Sequence, residues 1–248
     1  MTRSDGPAGP ARVPTLVAPT QPARRLSQVD RVYAGIKQRI IHLDYAPDAA
    51  ISEQKLAGEW GTSKTPVREA LVRLQRDGLV SALPRSGYRV TPITLKGTQD
   101  LCAVRAPLEQ EAAAAAAVRG IEDGLARELD ASLDVRYDNR DRDTIEPFMR
   151  ATFGFHAAVA QASGNDRLAA LVSDLLDELE RVLRIVLETL PWSASAHEQR
   201  KSILAAIVDR DAERARSAMA ARMRHSQRQI LDSLISTESV HSASIRRD

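Results

Sequence analysis

The stretch from Ser63 to Leu74, Ser-Lys-Thr-Pro-Val-Arg-Glu-Ala-Leu-Val-Arg-Leu, has the pattern of a short amphipathic helix. Its apolar residues recur three and four positions apart and share one face; they are Val67, Ala70, Leu71 and Leu74. Ser63 is a favourable N-cap, and Pro66 suits a first turn, where its missing amide costs nothing. Gly78 is typical of the residue that ends a helix. The stretch therefore predicts one helix that ends just before Gly78.

The polar side of this helix carries Lys64, Thr65 and Arg68 near its N-terminal end. A guanidinium can bind O6 and N7 of guanine together, and lysine and threonine side chains can reach bases or phosphates. These residues therefore suit a helix that lies in the major groove of DNA. An ordinary surface helix with solvated charges has the same pattern, so the surrounding sequence must distinguish the two.

The flanking sequence predicts a winged helix-turn-helix. Residues 52–60 form a second short helix, and Gly61 and Thr62 are the turn between the two helices. Residues 79–83 and 88–90 read as two strands around a turn rich in Pro, Ser and Gly. Arg85 lies at the tip of that turn, where a cation can enter the minor groove of DNA.

Residues 41–90 resemble the DNA-binding domain of the GntR-type bacterial regulators. The similarity is carried by Ser-Glu-Gln-Lys-Leu-Ala at 52–57, by Ser-Lys-Thr-Pro-Val-Arg-Glu-Ala-Leu at 63–71, and by Asp-Gly-Leu-Val at 77–80. The resemblance implies that DNA is contacted by two helix ends and the wing, through Gln54, Ser63, Lys64, Thr65, Arg68, Arg85, Ser86 and Gly87. Lys64 stands where arginine is commoner, so we expect a point-charge contact there rather than a bidentate one.

Composition narrows the class of protein. The 248 residues carry a formal net charge of +2, so nucleic acid must be bound by a local cationic patch. Aromatic residues make up only 4%, and a core built on small aliphatic side chains favours packed helices. The single cysteine, Cys102, cannot form an internal disulfide. Without an apolar run of about 20 residues or a secretory signal, we expect a cytoplasmic protein that does not contact membranes.

The chain divides into four parts in our interpretation. Residues 1–26 are a disordered N-terminal arm rich in Pro, Ala, Gly and Arg, and 27–93 are the winged helix-turn-helix domain. Residues 94–236 form an effector-binding and dimerisation domain, with helices near 95–118, 122–136, 143–162, 166–190, 194–208 and 211–235, and 237–248 are a frayed tail. The expected fold is mainly α, an N-terminal winged helix-turn-helix followed by an all-α antiparallel six-helix bundle.

Polar side chains interrupt the apolar faces of several bundle helices, namely Arg105, Thr152, His156, Arg200 and Arg222. If these faces share one interior, it holds three guanidinium groups and an imidazole, and it would bind an anion. Taken singly, each residue has an ordinary explanation. Arg105 can pair with Glu109 on the surface, the other arginines can lie at the edges of their apolar faces, and His156 can be a core residue.

The bundle resembles the FCD effector domain of the FadR-type branch of these regulators. The similarity is carried by Val-Arg-Ala-Pro-Leu-Glu at 104–109, by residues 155–165 from Phe-His-Ala-Ala to Ser-Gly-Asn, and by Ile-Leu-Ala-Ala-Ile at 203–207 with Asp211 and Ala215. That family often binds a divalent metal through one aspartate and three histidines. Here those positions hold Thr152, His156, Arg200 and Arg222, so only one ligand remains.

We therefore expect no bound metal and no other cofactor. A small carboxylate would bind Arg200 and Arg222 directly, with Arg105, Thr152, His156 and Asn165 beside it. An alternative is a metal site that uses His197 and His225, each three residues from a replaced position.

The predicted function is a DNA-binding transcriptional regulator, a homodimeric repressor that reads a palindromic operator in double-stranded DNA and is modulated by a small carboxylate. Another reading is a dimeric regulator that needs no ligand. An enzyme with His156 as its base is a third, but the sequence shows no nucleophile-base pairing, phosphate loop or paired carboxylates, so we expect no enzyme.

Overall fold

The computed structural model describes residues 27–83, 87–238 and 245–246. The expected disordered arm, the wing residues Arg85 and Ser86, and most of the expected frayed tail lie outside the described residues. The described part is mainly helical, with a small antiparallel sheet in its N-terminal domain. The predicted fold class is therefore confirmed.

The N-terminal domain is a winged helix-turn-helix. Its elements are α1 (Gln28–Ile41), β1 (Ala50–Ile51), α2 (Glu53–Glu59), α3 (Lys64–Arg76), β2 (Val80–Leu83) and β3 (Gly87–Val90). A capping box starts α1, because the Asp30 amide donates to the Ser27 hydroxyl and the Ser27 amide donates to the Asp30 carboxylate. The predicted apolar face of α3 is buried against α1 and the sheet.

The end of α3 follows the sequence prediction. Gly78 has a φ of +74°, a left-handed conformation that glycine adopts without steric cost. The Leu79 amide then donates to the carbonyl of Leu74 at 2.9 Å, which satisfies one carbonyl of the last turn. This turn directs the chain from α3 into β2 and so positions the wing.

The wing strands form a three-stranded sheet with β3 in the centre. Antiparallel pairs join Val80 to Val90 and Ile51 to Tyr88. Gly87, at the start of β3, has a φ of +91°, and a Cβ atom there would lie 2.6 Å from the carbonyl oxygen of Ile51. A side chain at position 87 would push the wing away from β1.

The second domain is the expected bundle of six helices. They are α4 (Leu95–Arg119), α5 (Asp123–Leu133), α6 (Arg142–Ala162), α7 (Asp166–Val186), α8 (Ala194–Val208) and α9 (Ala212–Glu238). A short strand β4 (Ile93–Thr94) precedes α4 and pairs in parallel with β5 (Ile245–Arg246). This pairing differs from the frayed end that we expected for the tail.

Helix α4 lies at the centre of the bundle and packs on α6, α7, α8 and α9. Its run of alanines is almost completely buried, and such small side chains let neighbouring helices approach closely. The surrounding core is apolar and includes Phe155, Val159, Ile203 and Met219.

Helix α7 connects the bundle to the winged domain. The ammonium of Lys37 on α1 lies 2.6 Å from the carboxylate of Asp177 on α7. One turn later, the buried Arg181 donates from Nη2 to the carbonyl of Thr91 in the linker, at 2.6 Å. No helix in the described part of the chain is long and apolar enough to cross a membrane.

Candidate functional site

The helix-turn-helix presents the expected contact residues at one surface. Gln54 lies in the first turn of α2, and Lys64, Thr65 and Arg68 lie in the first turns of α3, all with exposed side chains. Ser63 occupies the N-cap position of α3, but its hydroxyl makes no capping hydrogen bond, contrary to our expectation. That exposed hydroxyl therefore remains available to a phosphate.

A salt bridge orients Arg68 on this surface. Its Nη2 lies 2.8 Å from Oε2 of Glu53 and its Nε 3.0 Å from Oε1, while 65% of the side chain stays exposed. The hydrogen bond from Arg68 lowers the pKa of the Glu53 carboxyl, although partial burial opposes this shift. Glu53 is not among the site residues predicted from the sequence, because a pair that spans two helices leaves no periodic signal.

The exposed side of α3 continues this surface as a shallow groove. It is lined by Ser27, Val29, Lys64, Thr65, Arg68, Glu69, Val72, Arg73 and Arg76. Four of these side chains are cationic and one is acidic, which gives the groove the positive charge that a DNA backbone attracts. Gly87 is half-buried, and its missing side chain lets the wing lie close to β1. The wing tip with Arg85 and Ser86 lies outside the described residues.

A cavity lies inside the bundle between α6, α7, α8 and α9, and we call it the bundle cavity. Its polar residues are Thr152, Ser193, Arg200, Arg222, Ser226 and Gln229. Its apolar and aromatic residues include Tyr137, Phe148, Leu183, Leu187, Leu190, Trp192 and Ile230. The free volume is about 50 Å³, which is room for a few water molecules.

Two buried guanidinium groups give the bundle cavity its charge. Arg200 is 2% exposed and Arg222 is 9% exposed. Arg200 donates from Nη1 to the Thr152 hydroxyl at 2.8 Å. Among the described residues, its Nε has no hydrogen-bond partner, and neither have Nε and Nη1 of Arg222. Burial, together with the nearby charges of Arg200 and Arg105, lowers the pKa of Arg222 to about 9. Guanidinium groups keep their charge at neutral pH, so both are buried cations whose N–H donors are not all satisfied by the described residues.

Arg105 and His156 do not line the cavity, which corrects our expectation of three guanidinium groups and an imidazole within it. Both instead bind the buried carboxylate of Glu109, through Nε of Arg105 and Nδ1 of His156. Burial alone would raise the pKa of Glu109, but Arg105 and His156 outweigh it and lower that pKa to about 2. The pair of Arg105 and Glu109, which we considered as a surface pair, therefore lies in the interior. With His156 it forms an ion cluster around Glu109.

Asn165 also differs from its predicted role as a ligand-binding residue. Its side chain accepts the amide of Leu168 at 3.1 Å and so caps the N-terminus of α7, and it does not line the bundle cavity. A short polar residue next to glycine is a common helix cap, and this simpler role explains its position.

The residues at the family's metal positions do not suit a metal ion. The Thr152 hydroxyl accepts a hydrogen bond from Arg200, His156 is engaged by Glu109, and the other two positions hold cationic guanidinium groups. His197 donates from Nδ1 to the carbonyl of Leu133 at 2.8 Å. Within the described residues, no three His, Cys, Asp or Glu side chains converge to hold a metal, with His197 and His225 included.

Two family models match the chain, one over the winged domain and one over most of the bundle. The model described as bacterial regulatory proteins of the gntR family matches residues 28–90, and the FCD domain model matches residues 100–225. The protein belongs to the GntR family and carries an FCD domain.

Relatives over most of the chain support this assignment. An HTH-type transcriptional regulator from an unstable DNA locus of Streptomyces ambofaciens is 30% identical over 200 residues, which is 78% of this chain and 80% of the relative. The transcriptional repressor RspR of Escherichia coli is 24% identical over 207 residues, covering 84% of this chain and 88% of RspR. The structure of E. coli McbR/YncC has the same fold, with a TM-score of 0.69 and 23% identity over 84% of this chain and 99% of that chain.

The chain is thus a DNA-binding transcriptional regulator of the GntR type. Its relatives are transcriptional regulators rather than enzymes. Regulators of this family bind DNA and typically dimerise.

We predict that Arg68→Ala weakens specific DNA binding by about 10- to 100-fold, because a bidentate contact to a base is lost. The measurement is an affinity titration on a duplex that the unmodified protein selects from a random library. The control is Arg73→Ala, which removes the same charge at the far end of α3, where Arg73 pairs with Asp30. Equal losses in the two variants would show that Arg68 supplies charge only.

We predict that Glu109→Ala destabilises the protein by about 3–5 kcal/mol, since it leaves the buried Arg105 without its anion and the buried His156 without its hydrogen-bond partner. Urea unfolding measures this loss. The control is Glu111→Ala, which removes an exposed carboxylate on the same helix and should change the stability little.

The pKa of Glu109 is depressed in the folded protein, so the ionised Glu109 stabilises the fold fully above the ordinary pKa of 4.5. That stabilisation is lost as the pH falls towards about 2, and a wild-type curve insensitive to pH across this range would contradict the assignment.

Proposed function

We propose that this regulator responds to a small carboxylate that binds Arg200 and Arg222 in the bundle cavity without a metal ion. The observation that carries the proposal is the pair of buried guanidinium groups with unsatisfied N–H donors. In metal-binding relatives a cation would supply positive charge at this place, and here arginine side chains supply it instead.

The free-energy balance favours an anion in this cavity. A buried charged donor without a partner costs several kcal/mol, because it has lost its hydration. A carboxylate accepts hydrogen bonds from two N–H groups of one guanidinium and adds its charge to the interaction. The two arginines also repel one another, and an anion between them would remove that repulsion and raise the lowered pKa of Arg222.

Helix α7 offers a route from the cavity to the DNA-binding domain. Its C-terminal half contributes Leu183 and Leu187 to the cavity wall, and its middle binds the winged domain through Asp177 and Arg181. A ligand that displaces the end of α7 would therefore change these contacts. Such a ligand acts only through its different affinity for the two arrangements of the winged domain.

The regulator would act as a homodimer that reads two half-sites of a palindromic operator, because a two-fold protein matches a two-fold site. We favour a repressor that leaves its operator when the ligand binds. RspR, which matches along most of the chain, is named a repressor. A dimeric regulator that needs no ligand is the competing function, since the bundle could serve dimerisation alone.

We predict that Arg222→Ala leaves operator affinity unchanged and abolishes the response to carboxylates. A thermal-shift screen of the wild type with acetate, isobutyrate, benzoate and succinate should find an acid that stabilises the protein, and the same acid should lower DNA affinity. Arg224→Ala, an exposed arginine on the same helix, is the control that keeps both properties. If no acid stabilises the wild type, the competing function, a dimeric regulator that needs no ligand, is favoured. Tight stoichiometric binding of Zn²⁺ or Ni²⁺ would instead refute the metal-free site.

We predict that Asp177→Ala retains carboxylate binding but shows a several-fold smaller effect of that acid on DNA affinity. The reason is the loss of the ion pair with Lys37 that joins α7 to α1. The charge-swapped double variant Lys37→Asp and Asp177→Lys should recover the response. Lys96→Ala breaks an exposed pair with Asp100 on α4 and serves as the control. An undiminished response in Asp177→Ala would exclude this route.

A further inference from the structure

Charged, neutral polar and apolar side chains all line the bundle cavity. The charged side chains that line it, Arg200 and Arg222, lie close enough to lower the pKa of Arg222 by repulsion, so the positive charge is concentrated in one place. Thr152, Ser226 and Gln229 add neutral polar groups to the lining. The positive charge of these two side chains is therefore suited to a single anionic group.

Most of the remaining lining is apolar or aromatic. Leu183, Leu187 and Leu190 come from the end of α7 and the segment after it, and Phe148 and Trp192 add aromatic surface. The Tyr137 hydroxyl donates to the carbonyl of Leu190 at 2.7 Å, so it is already occupied. Among the described lining residues there is no further cationic group that could pair with a second carboxylate.

The apolar wall is built by the short connection between α7 and α8. The hydrogen bond from Tyr137 fixes its backbone at Leu190, and the Trp192 ring lies against the guanidinium of Arg136, 4.6 Å from the ring centre. The free volume of about 50 Å³ limits what the cavity admits in this arrangement. A ligand of more than a few heavy atoms must therefore move part of this wall.

We propose that the effector is a compact monocarboxylate with an apolar or aromatic body. Its carboxylate binds the two arginines, and its body packs against Phe148, Leu187 and Trp192. This inference rests on the proposed function and narrows its ligand class. A second carboxylate would be buried against leucine and tryptophan side chains without a partner, and such a charge is costly to bury.

The same arrangement assigns Leu190 a role in specificity. Its side chain is half-buried at the connection, where it lines the cavity. An arginine at this position would add a third cation to the lining. The cavity of such a variant would match an acid with a carboxylate at each end.

Calorimetric titration of the full-length protein with isobutyrate, benzoate, succinate and benzamide tests this inference. We expect isobutyrate or benzoate to bind at least 10-fold more tightly than succinate, and the uncharged benzamide not to bind. The Leu190→Arg variant should reverse the preference towards succinate. Val118→Arg, which adds the same charge at an exposed position of α4, should leave it unchanged.

The outcomes separate this inference from the proposed function. Tighter binding of succinate than of both monocarboxylates by the wild type would overturn the inference and leave a carboxylate-responsive regulator. Equal binding of benzamide and benzoate would show that the arginines do not recognise the ligand, which overturns both. Binding of none of the acids would also overturn both. If Leu190→Arg is folded and keeps the wild-type preference, Leu190 does not set specificity and the body of the ligand lies elsewhere.

Discussion

The buried carboxylate of Glu109 determines how charge is distributed inside the bundle. It lies on the central helix α4, is 1% exposed, and binds Arg105 on its own helix and His156 on α6. These contacts compensate the charge of Arg105 and engage His156, the one histidine at the positions where the resemblance implies metal ligands. The positive charge of Arg200 and Arg222 is left facing the bundle cavity, so the anion site proposed there depends on the ion cluster behind it.

The winged domain and the bundle are connected through charged contacts on one side of α7. Asp177 binds Lys37 and Arg181 binds the backbone at Thr91, while the same helix ends in the wall of the cavity. A largely polar junction of this kind is weaker than an apolar core and is easier to rearrange. It therefore suits a protein in which the position of one domain must respond to a small ligand bound in the other.

The local sequence pattern predicted the winged domain in more detail than the contacts inside the bundle. In the winged domain it identified α3, its buried face and its terminal glycine, because these features follow from local periodicity and turn chemistry. In the bundle it recognised that Arg105, Thr152, His156, Arg200 and Arg222 were unusual on apolar faces, and all five are buried. It could not tell which of them share a cavity, and it placed Asn165 there although that residue caps α7.

The sequence by itself determined the order of the helices, the winged helix-turn-helix and the family, since helix periods, caps, glycine turns and family motifs are written along the chain. It also showed that the metal ligands of the family are replaced. Only the tertiary structure decided that Glu109 takes up Arg105 and His156, and that Arg200 and Arg222 meet in one cavity. Glu109 and His156 are 47 residues apart, and Arg200 and Arg222 lie on different helices. No local pattern encodes how those helices pack.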